Sequence, residues 1–473
     1  MSALIGTFIS HVEQCFSTGS ADNLVTSLPL DLSHPFFNPL SQALLSVPES
    51  DVSPASIRVQ LIFVSENVKE NFSSFLSAVL ANIRWQQASS ESERLYRAYS
   101  KLQHVYGEAN KVYGMSSDDG SYMHAFLNPL VVNLAKLLVK ASNKAAQSST
   151  LPLRHPQSAR SIRDSTRQTI ERSMQIANSN MSDSEWNAAG GQQHVVGDIV
   201  WALGNVLFRI YAERKLHTQA ADLSKTLSSL SPAEDKRLSS RGYLVSATEI
   251  SQSYYWRGKL GVVLLDMRGA KYWLDKAWRF CPGSDVHGQE GWSQRRSILI
   301  RLIPVNLLLG LLPSQAILQQ YDLPEYVPLI QAYKTGNVPA WRKILEQRRE
   351  WFRRRSVWLI LYERGEILVW RNLFRRALQI YYSLDPSAAK NRCPTWVFLS
   401  ATHQTFSGSG EIEDGNVELE DIICVISSLV DQSLILGNLA YSQRQLVMKP
   451  SPDGMGGFPR VSQVNPRTVN AIA

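Results

Sequence analysis

The 473-residue sequence carries none of the signatures that most enzymes of this size display. It has no GxxxxGK[ST] phosphate loop, no HExxH metal helix and no GxSxG nucleophile turn, and its nine histidines are scattered without carboxylate or cysteine partners at ligand spacing. Catalysis needs paired acid, base, nucleophile or metal groups, so the expectation is a non-enzymatic protein with no cofactor and no metal site. The run "GMGGF", residues 454–458, follows no strand and opens no helix, so it reads as tail and not as a nucleotide loop. His403, alone on an apolar helix, reads as a packed residue. Only four cysteines are present, Cys15, Cys281, Cys393 and Cys424, widely spaced and without a CxxC pair. That points to neither a disulfide framework nor a zinc site and suggests buried, reduced thiols. No uninterrupted apolar run approaches the ~18 residues of a membrane span, and the N-terminus lacks both a positive region and a long apolar run. A soluble intracellular protein is expected.

What is present is a composition rich enough in apolar residues, 44%, to bury a large core. Apolar residues recur every three or four positions, as in Val200, Leu203, Leu207 and Ile210, or Leu299, Leu302, Ile303 and Leu307. The chain is therefore mainly α, with antiparallel pairs predicted at about 198–214 with 216–230, 246–266 with 269–281, and 291–311 with 313–320, separated by turns such as "SLSPAED" and "MRGA". Stacked pairs without a strict consensus make a degenerate, TPR-like α-solenoid. Ser142–Ser161 reads as a polar surface loop and Ser407–Asn416 as a glycine-rich acidic one. Toward the end, an amphipathic helix within Val417–Gly437 precedes the short alternating segments "NLAYS" and "RQLVMK" with "QR" at the turn. Helices followed by a small β-hairpin make a winged helix. The expected organisation is an N-terminal helical region at 1–141, a linker with a helix at 142–194, the solenoid at 195–340, the winged-helix part at 341–449 and an extended tail at 450–473.

Charge is concentrated in one place. Residues 341–376 hold eleven basic and four acidic residues, a local +7, while the whole chain carries only +8. Read as one helix, Trp341, Ile344, Leu345, Arg348, Trp351 and Phe352 form the core face and Arg342, Glu346, Arg349 and Arg353 the opposite one. Pairs of Glu346 with Arg342 and Glu350 with Arg354 compensate part of the charge, each worth a few tenths of a kcal/mol. The excess exceeds what internal pairing absorbs, and such a field favours phosphates or acidic proteins. The presumed recognition helix, Glu418–Ser433, has four acids and no Lys or Arg, so it is a poor groove reader. Nucleic acid would be held through phosphates, without sequence reading, by Arg342, Lys343, Arg349, Arg353, Arg354, Arg355, Arg375 and Arg376, with Arg444 and Lys449 of the wing. Trp341, Trp351, Trp358 and Trp370 could stack on bases, but their helical spacing argues for core packing.

The stretches "SYYWRGKL", "AWRFCP", "RRSILIRLIPVNLLLGLLPSQAILQQYDLPEY", "AYKTGNV", "WLILYERGEILVWRNLFRRAL" and "LILGNLAYSQRQLVMKPSP" resemble, in this order, signature segments of the PCI-domain proteins that serve in mRNA export. The resemblance covers roughly Gln192 to Pro459, and the turn Leu302-Ile303-Pro304-Val305 and the run Arg371–Phe374 are its most specific parts. It implies the PCI fold, an α-solenoid ending in a winged helix. It also implies a scaffold subunit of a transcription-coupled TREX-2-type complex at the nuclear pore, in the nucleus and nuclear envelope and also in the cytoplasm. The implied partners are a GANP-type (Sac-type) scaffold protein, a small acidic DSS-type subunit, and RNA or DNA. Partner contacts are expected at Arg371, Asn372, Phe374 and the wing residue Tyr441. The resemblance extends to the signalosome-associated paralogue, so a COP9 signalosome-associated subunit is the alternative. A nucleic-acid hydrolase on the basic face is a third reading, opposed by the missing acid, base or metal set.

Overall fold

The computed structural model describes residues 3–18, 28–30, 34–84, 91–115, 121–152, 155–179, 196–229, 246–407, 417–449 and 457–464. The chain forms two compact units, Met1–Ser253 and Tyr254–Ala473. The "SLSPAED" turn and the Ser407–Asn416 loop lie outside the described residues, apart from their first residues.

The first unit is helical. Its elements are α1 (Ala3–Thr18), α2 (Phe37–Leu45), α3 (Pro54–Gln60), α4 (Glu66–Arg84), α5 (Glu91–Met115), α6 (Ser121–Ser148), α7 (Ala159–Ser179), α8 (Val200–Arg214) and α9 (His217–Ser229). Each follows from three- and four-residue spacing: α7 buries Ile162, Thr166, Ile170, Ser173, Met174 and Ala177 on one stripe. Helices adjacent in the chain pack on each other, α5 on α4 and α6, α7 on α6, and α8 on α7 and α9. Phe16, Phe72 and Phe126 form an aromatic centre, with rings 4.3 and 4.8 Å from that of Phe16. Among the described residues one stretch, Ala125–Ser148, is long and apolar enough to cross a membrane. In the unit, its Phe126, Leu130, Val131, Leu134 and Leu138 are fully buried, which makes α6 a core helix. The polar loop expected from Ser142 is shorter, because Ser142, Ala145 and Ala146 are buried on the last turns of α6.

The second unit holds the remainder of α10 (Ala247–Val263) from Tyr254, then α11 (Met267–Phe280), α12 (Trp292–Leu308), α13 (Gln315–Gln320), α14 (Tyr326–Thr335), α15 (Val338–Gln347), α16 (Arg349–Arg354) and α17 (Trp358–Ile360). After a π-helical turn at Leu361–Gly365 come α18 (Glu366–Leu384), β1 (Arg392–Pro394), α19 (Thr395–Ser407), α20 (Leu419–Asp431), β2 (Gly437–Ala440) and β3 (Gln445–Met448). The expected hairpin is β2–β3, with Leu439 opposite Leu446, and it gains a third antiparallel strand because Cys393 of β1 also pairs with Leu446. The order β1-β3-β2, following α18 and enclosing α19 and α20, is the winged-helix arrangement.

Three local readings change. "MRGA" is not a turn: Asp266 caps α11 by accepting from the Gly269 amide at 2.9 Å, which starts the helix at Met267. The Leu302–Val305 stretch is not a turn either, since Pro304 sits inside α12. A proline there has no N–H for the carbonyl four residues back, that of Ile300. The buried Tyr326 hydroxyl donates to that carbonyl at 2.6 Å and so replaces the missing bond. Third, part of the tail is ordered against the unit. Gly457 O accepts from Leu436 N at 2.7 Å, Phe458 is buried, and Arg268 donates to Ser462 O and Val464 O. Cys15, Cys281 and Cys393 are buried as expected, whereas Cys424 is exposed on the outer side of α20.

The Pro304–Tyr326 exchange is testable by denaturant unfolding. Tyr326→Phe leaves a buried carbonyl unsatisfied and should destabilise by about 1–3 kcal/mol. In a Pro304→Ala background the restored amide takes over Ile300 O, and the same change should cost clearly less; equal costs in both backgrounds would refute the exchange.

Candidate functional site

The basic segment folds as a broken helix. Within it, α15 ends where Arg348 leaves helical geometry, and α16 ends before Ser356, which has φ +58°. The path then re-enters helix at Trp358 and widens through the π turn. Two glycines fix this geometry. Gly336, at φ +76° after α14, lies so near the Leu373 backbone that a Cβ would stand 2.5 Å from its Cα. At Gly365, in the π turn, a Cβ would collide with the buried indole of Trp341. The breaks turn the arginines in several directions, so the two opposed faces expected of one continuous helix are not formed.

Ion pairing absorbs little of the charge. Arg342 pairs with Glu366 of α18 through two bonds, 3.0 and 2.6 Å, and not with Glu346. Glu346 instead lies 3.5 Å from Arg349, and Arg354 pairs with Glu350 at 2.9 Å. These exposed pairs are worth about 0–1 kcal/mol each. Lys343, Arg348, Arg353, Arg364 and Arg376 are exposed and have no carboxylate partner among the described residues. Arg355 is different: half-buried, it stacks over Trp351 at 3.9 Å and donates to the Trp351 carbonyl. Burial, reinforced by Arg296, lowers its pKa. Arg375 is also half-buried. On the wing, Arg444 is exposed at φ +50° at the turn, and Lys449 is exposed just after β3.

The four residues expected to meet a partner are divided by the fold. Tyr441 is 66% exposed at the wing turn. Phe374 is buried against Phe398, with rings 5.0 Å apart, and Asn372 donates to Tyr333 O at the end of α14. Arg371 is only 3% exposed; it donates to Leu434 O, Pro459 O and Asn372 Oδ1 and lies over the Phe458 ring. Burial pulls its pKa down to about 10. Arg371 and Phe374 thus present no surface to a partner, because a winged helix needs their side chains inside.

The recognition helix α20 buries Ile422, Ile423, Ile426 and Leu429 and turns Glu420, Asp421 and Asp431 outward. Its reciprocal Glu418–Asp421 cap uses two of the acids for its own amides. Of the four tryptophans, Trp341 and Trp370 are buried, whereas Trp351 and Trp358 are half-exposed beneath Arg355 and Arg349. His403 is exposed, not packed, and its Nε2 meets Val417 O at 2.9 Å. Sequence reasoning missed Trp396, 57% exposed at the start of α19 and edge-on to Tyr381. The available signal was its place right after β1, where a helix starts on the surface.

No family model matches the chain. Among curated proteins, a PCI domain-containing protein of Schizosaccharomyces pombe is 24% identical over 95% of this chain and 93% of its own length. The PCI domain-containing protein 2 homologue of Drosophila melanogaster is 31% identical over 44% of this chain and 46% of its own length. The homologue in Dictyostelium discoideum is 21% identical over 82% of this chain and 80% of its own length. Its helical pairs lead into a three-stranded winged helix, and the chain is similar to PCI domain-containing proteins, to one of them along nearly its whole length.

Proposed function

We propose that this protein is a non-enzymatic scaffold subunit of a TREX-2-type, transcription-coupled mRNA-export complex in the nucleus and at the nuclear pore, present in the cytoplasm as well. In this reading it docks a GANP-type scaffold and a small acidic DSS-type subunit, and its winged-helix unit offers a basic surface to RNA or DNA. The observation that carries the reading is the set of exposed cations without a carboxylate partner among the described residues, Lys343, Arg348, Arg353, Arg364 and Arg376, on a unit whose recognition helix is acidic outward. Such a surface attracts phosphates and cannot read a groove, so binding is electrostatic and independent of sequence. Partner docking draws on the same field, because an acidic polypeptide is attracted by it too.

Two outcomes are expected from titration of a labelled RNA oligonucleotide. Affinity should fall steeply between about 50 and 200 mM salt, as counterion release demands, and alike for unrelated sequences. Arg353→Glu with Arg376→Glu should weaken binding by about tenfold or more and flatten the salt slope, while melting temperature stays unchanged. Arg354→Glu, whose arginine is already paired, should do less. A salt-independent affinity, or a double variant binding like the wild type, would remove the nucleic-acid half of the proposal.

A further inference from the structure

The bend between α16 and α17 is closed by a serine at a position where glycine is the residue without strain. Ser356 has φ +58°, its N–H donates to Arg353 O at 2.9 Å, and the next amide, that of Val357, reaches back to Phe352 O at 3.1 Å. These two bonds are the usual closure of a helix C-terminus, and its left-handed position favours glycine because a Cβ crowds the backbone there. The turn itself has no need of a side chain at 356. What the serine adds is a hydroxyl, exposed and without a hydrogen bond among the described residues.

The chain leading to that hydroxyl reads Arg353-Arg354-Arg355-Ser356-Val357. Arginines two and three residues before a serine, with an aliphatic residue after it, are the charge pattern that the acidic substrate groove of a basophilic serine kinase selects. Arg353 and Arg354 are both exposed. Phe352 and Val357 are buried and pin the segment on either side, so a kinase, which binds its substrate extended, needs α16 to open locally. A six-residue helix has little stability of its own and belongs to the segments that open most readily. Around the hydroxyl the charge is of one sign. Ser356, Arg349 and Arg353 line one groove of about 460 Å³, and among the described residues no carboxylate lines it. Arg349 gives up little to meet a new anion, since its contact with Glu346 is long, 3.5 Å, and exposed.

We propose that Ser356 is a phosphorylation site, and that phosphoserine there withdraws Arg349 and Arg353 from the basic surface. In the transfer the serine Oγ–H bond breaks and Oγ bonds to the γ-phosphorus of ATP. The bond from that phosphorus to the bridging oxygen breaks and releases ADP, and the proton passes to the catalytic carboxylate of the kinase and on to water. The new group carries a charge of about −2 at neutral pH, which takes the local +7 of residues 341–376 to about +5 and forms charge-assisted bonds with the two guanidiniums. The site stands on the bend and its motif; its effect on RNA rests on the proposed function.

A second basophilic match, Ser239 behind Lys236 and Arg237, lies outside the described residues, so the test uses the full chain carrying Ser239→Ala. Folded protein is incubated with magnesium, ATP and the catalytic subunit of a cyclic-AMP-dependent kinase, and occupancy of Ser356 is read by mass spectrometry. Near-complete phosphorylation is expected. Arg353→Gln with Arg354→Gln should slow it by about tenfold or more. Ser356→Gly should abolish it while the melting temperature holds or rises. The site is overturned if the folded chain is not modified, if modification needs denaturation, or if the rate ignores the two arginines. Phosphorus NMR then reads the geometry without reference to RNA. The second ionisation of the phosphoserine, ordinarily at about pH 6, should lie below that of a phosphorylated peptide of residues 352–358, and Arg349→Gln should bring it back toward the peptide's value. Equal midpoints in chain and peptide would contradict the pairing. In the RNA titration the phosphorylated chain should bind about tenfold more weakly than the unmodified one, with a flatter salt slope. Equal affinities overturn the regulatory half of the inference and leave the nucleic-acid reading standing. An unmodified chain that binds no RNA sinks that reading together with the regulatory half, and leaves the phosphorylation site to the first two measurements.

Discussion

One buried guanidinium organises the C-terminal unit. Arg371 lies in the middle of α18, where it reaches the carbonyl of Leu434 just before β2 and that of Pro459 in the returning tail. A charge so deeply buried is tolerable only because carbonyl oxygens surround it, and removing such partners costs about 3–5 kcal/mol in comparable sites. The lowered pKa, about 10, records the desolvation that those acceptors do not fully offset. Arg371 thus ties the wing, the tail and the central helix together, with the Leu436–Gly457 backbone bond and Arg268 also holding the tail, and the surfaces around them inherit that placement.

From this arrangement follows the division of the arginines. A guanidinium inside the fold cannot meet a partner, one stacked on an indole is partly desolvated, and one paired with glutamate is partly neutralised. Sequence density counted all eleven cations of the segment alike, whereas folding leaves five exposed without a carboxylate partner among the described residues. Shape divides them further. The bend between α16 and α17 opens an apolar groove beside Arg349 and Arg353, while Arg376 lies on the separate surface of α18.

Much of the fold was legible because burial periodicity is a local signal. The pairs near 200–229, 247–280 and 292–320 appear within a few residues of their expected limits, and the hairpin at 437–448 is where alternation placed it. What was not legible depends on long-range partners. Pro304 inside α12 requires Tyr326, and the break at Arg348 and the π turn depend on how Trp341 meets Gly365. The ordered tail at 457–464 depends on Arg371 and Arg268, which are distant in sequence. The candidate surface was legible in composition and not in geometry. A run of arginines announces a field, but no pattern in "RREWFRRRS" tells that Arg355 covers Trp351 while Arg353 faces outward.

The account stands or falls on docking. The most direct measurement is affinity purification of the native protein from nuclear extract, with and without nuclease, followed by identification of the co-purifying chains. The account predicts a large helical scaffold and a small acidic subunit in both samples, held by protein contacts that survive loss of nucleic acid. Recovery of signalosome subunits in their place, or loss of both partners on nuclease treatment, would contradict it.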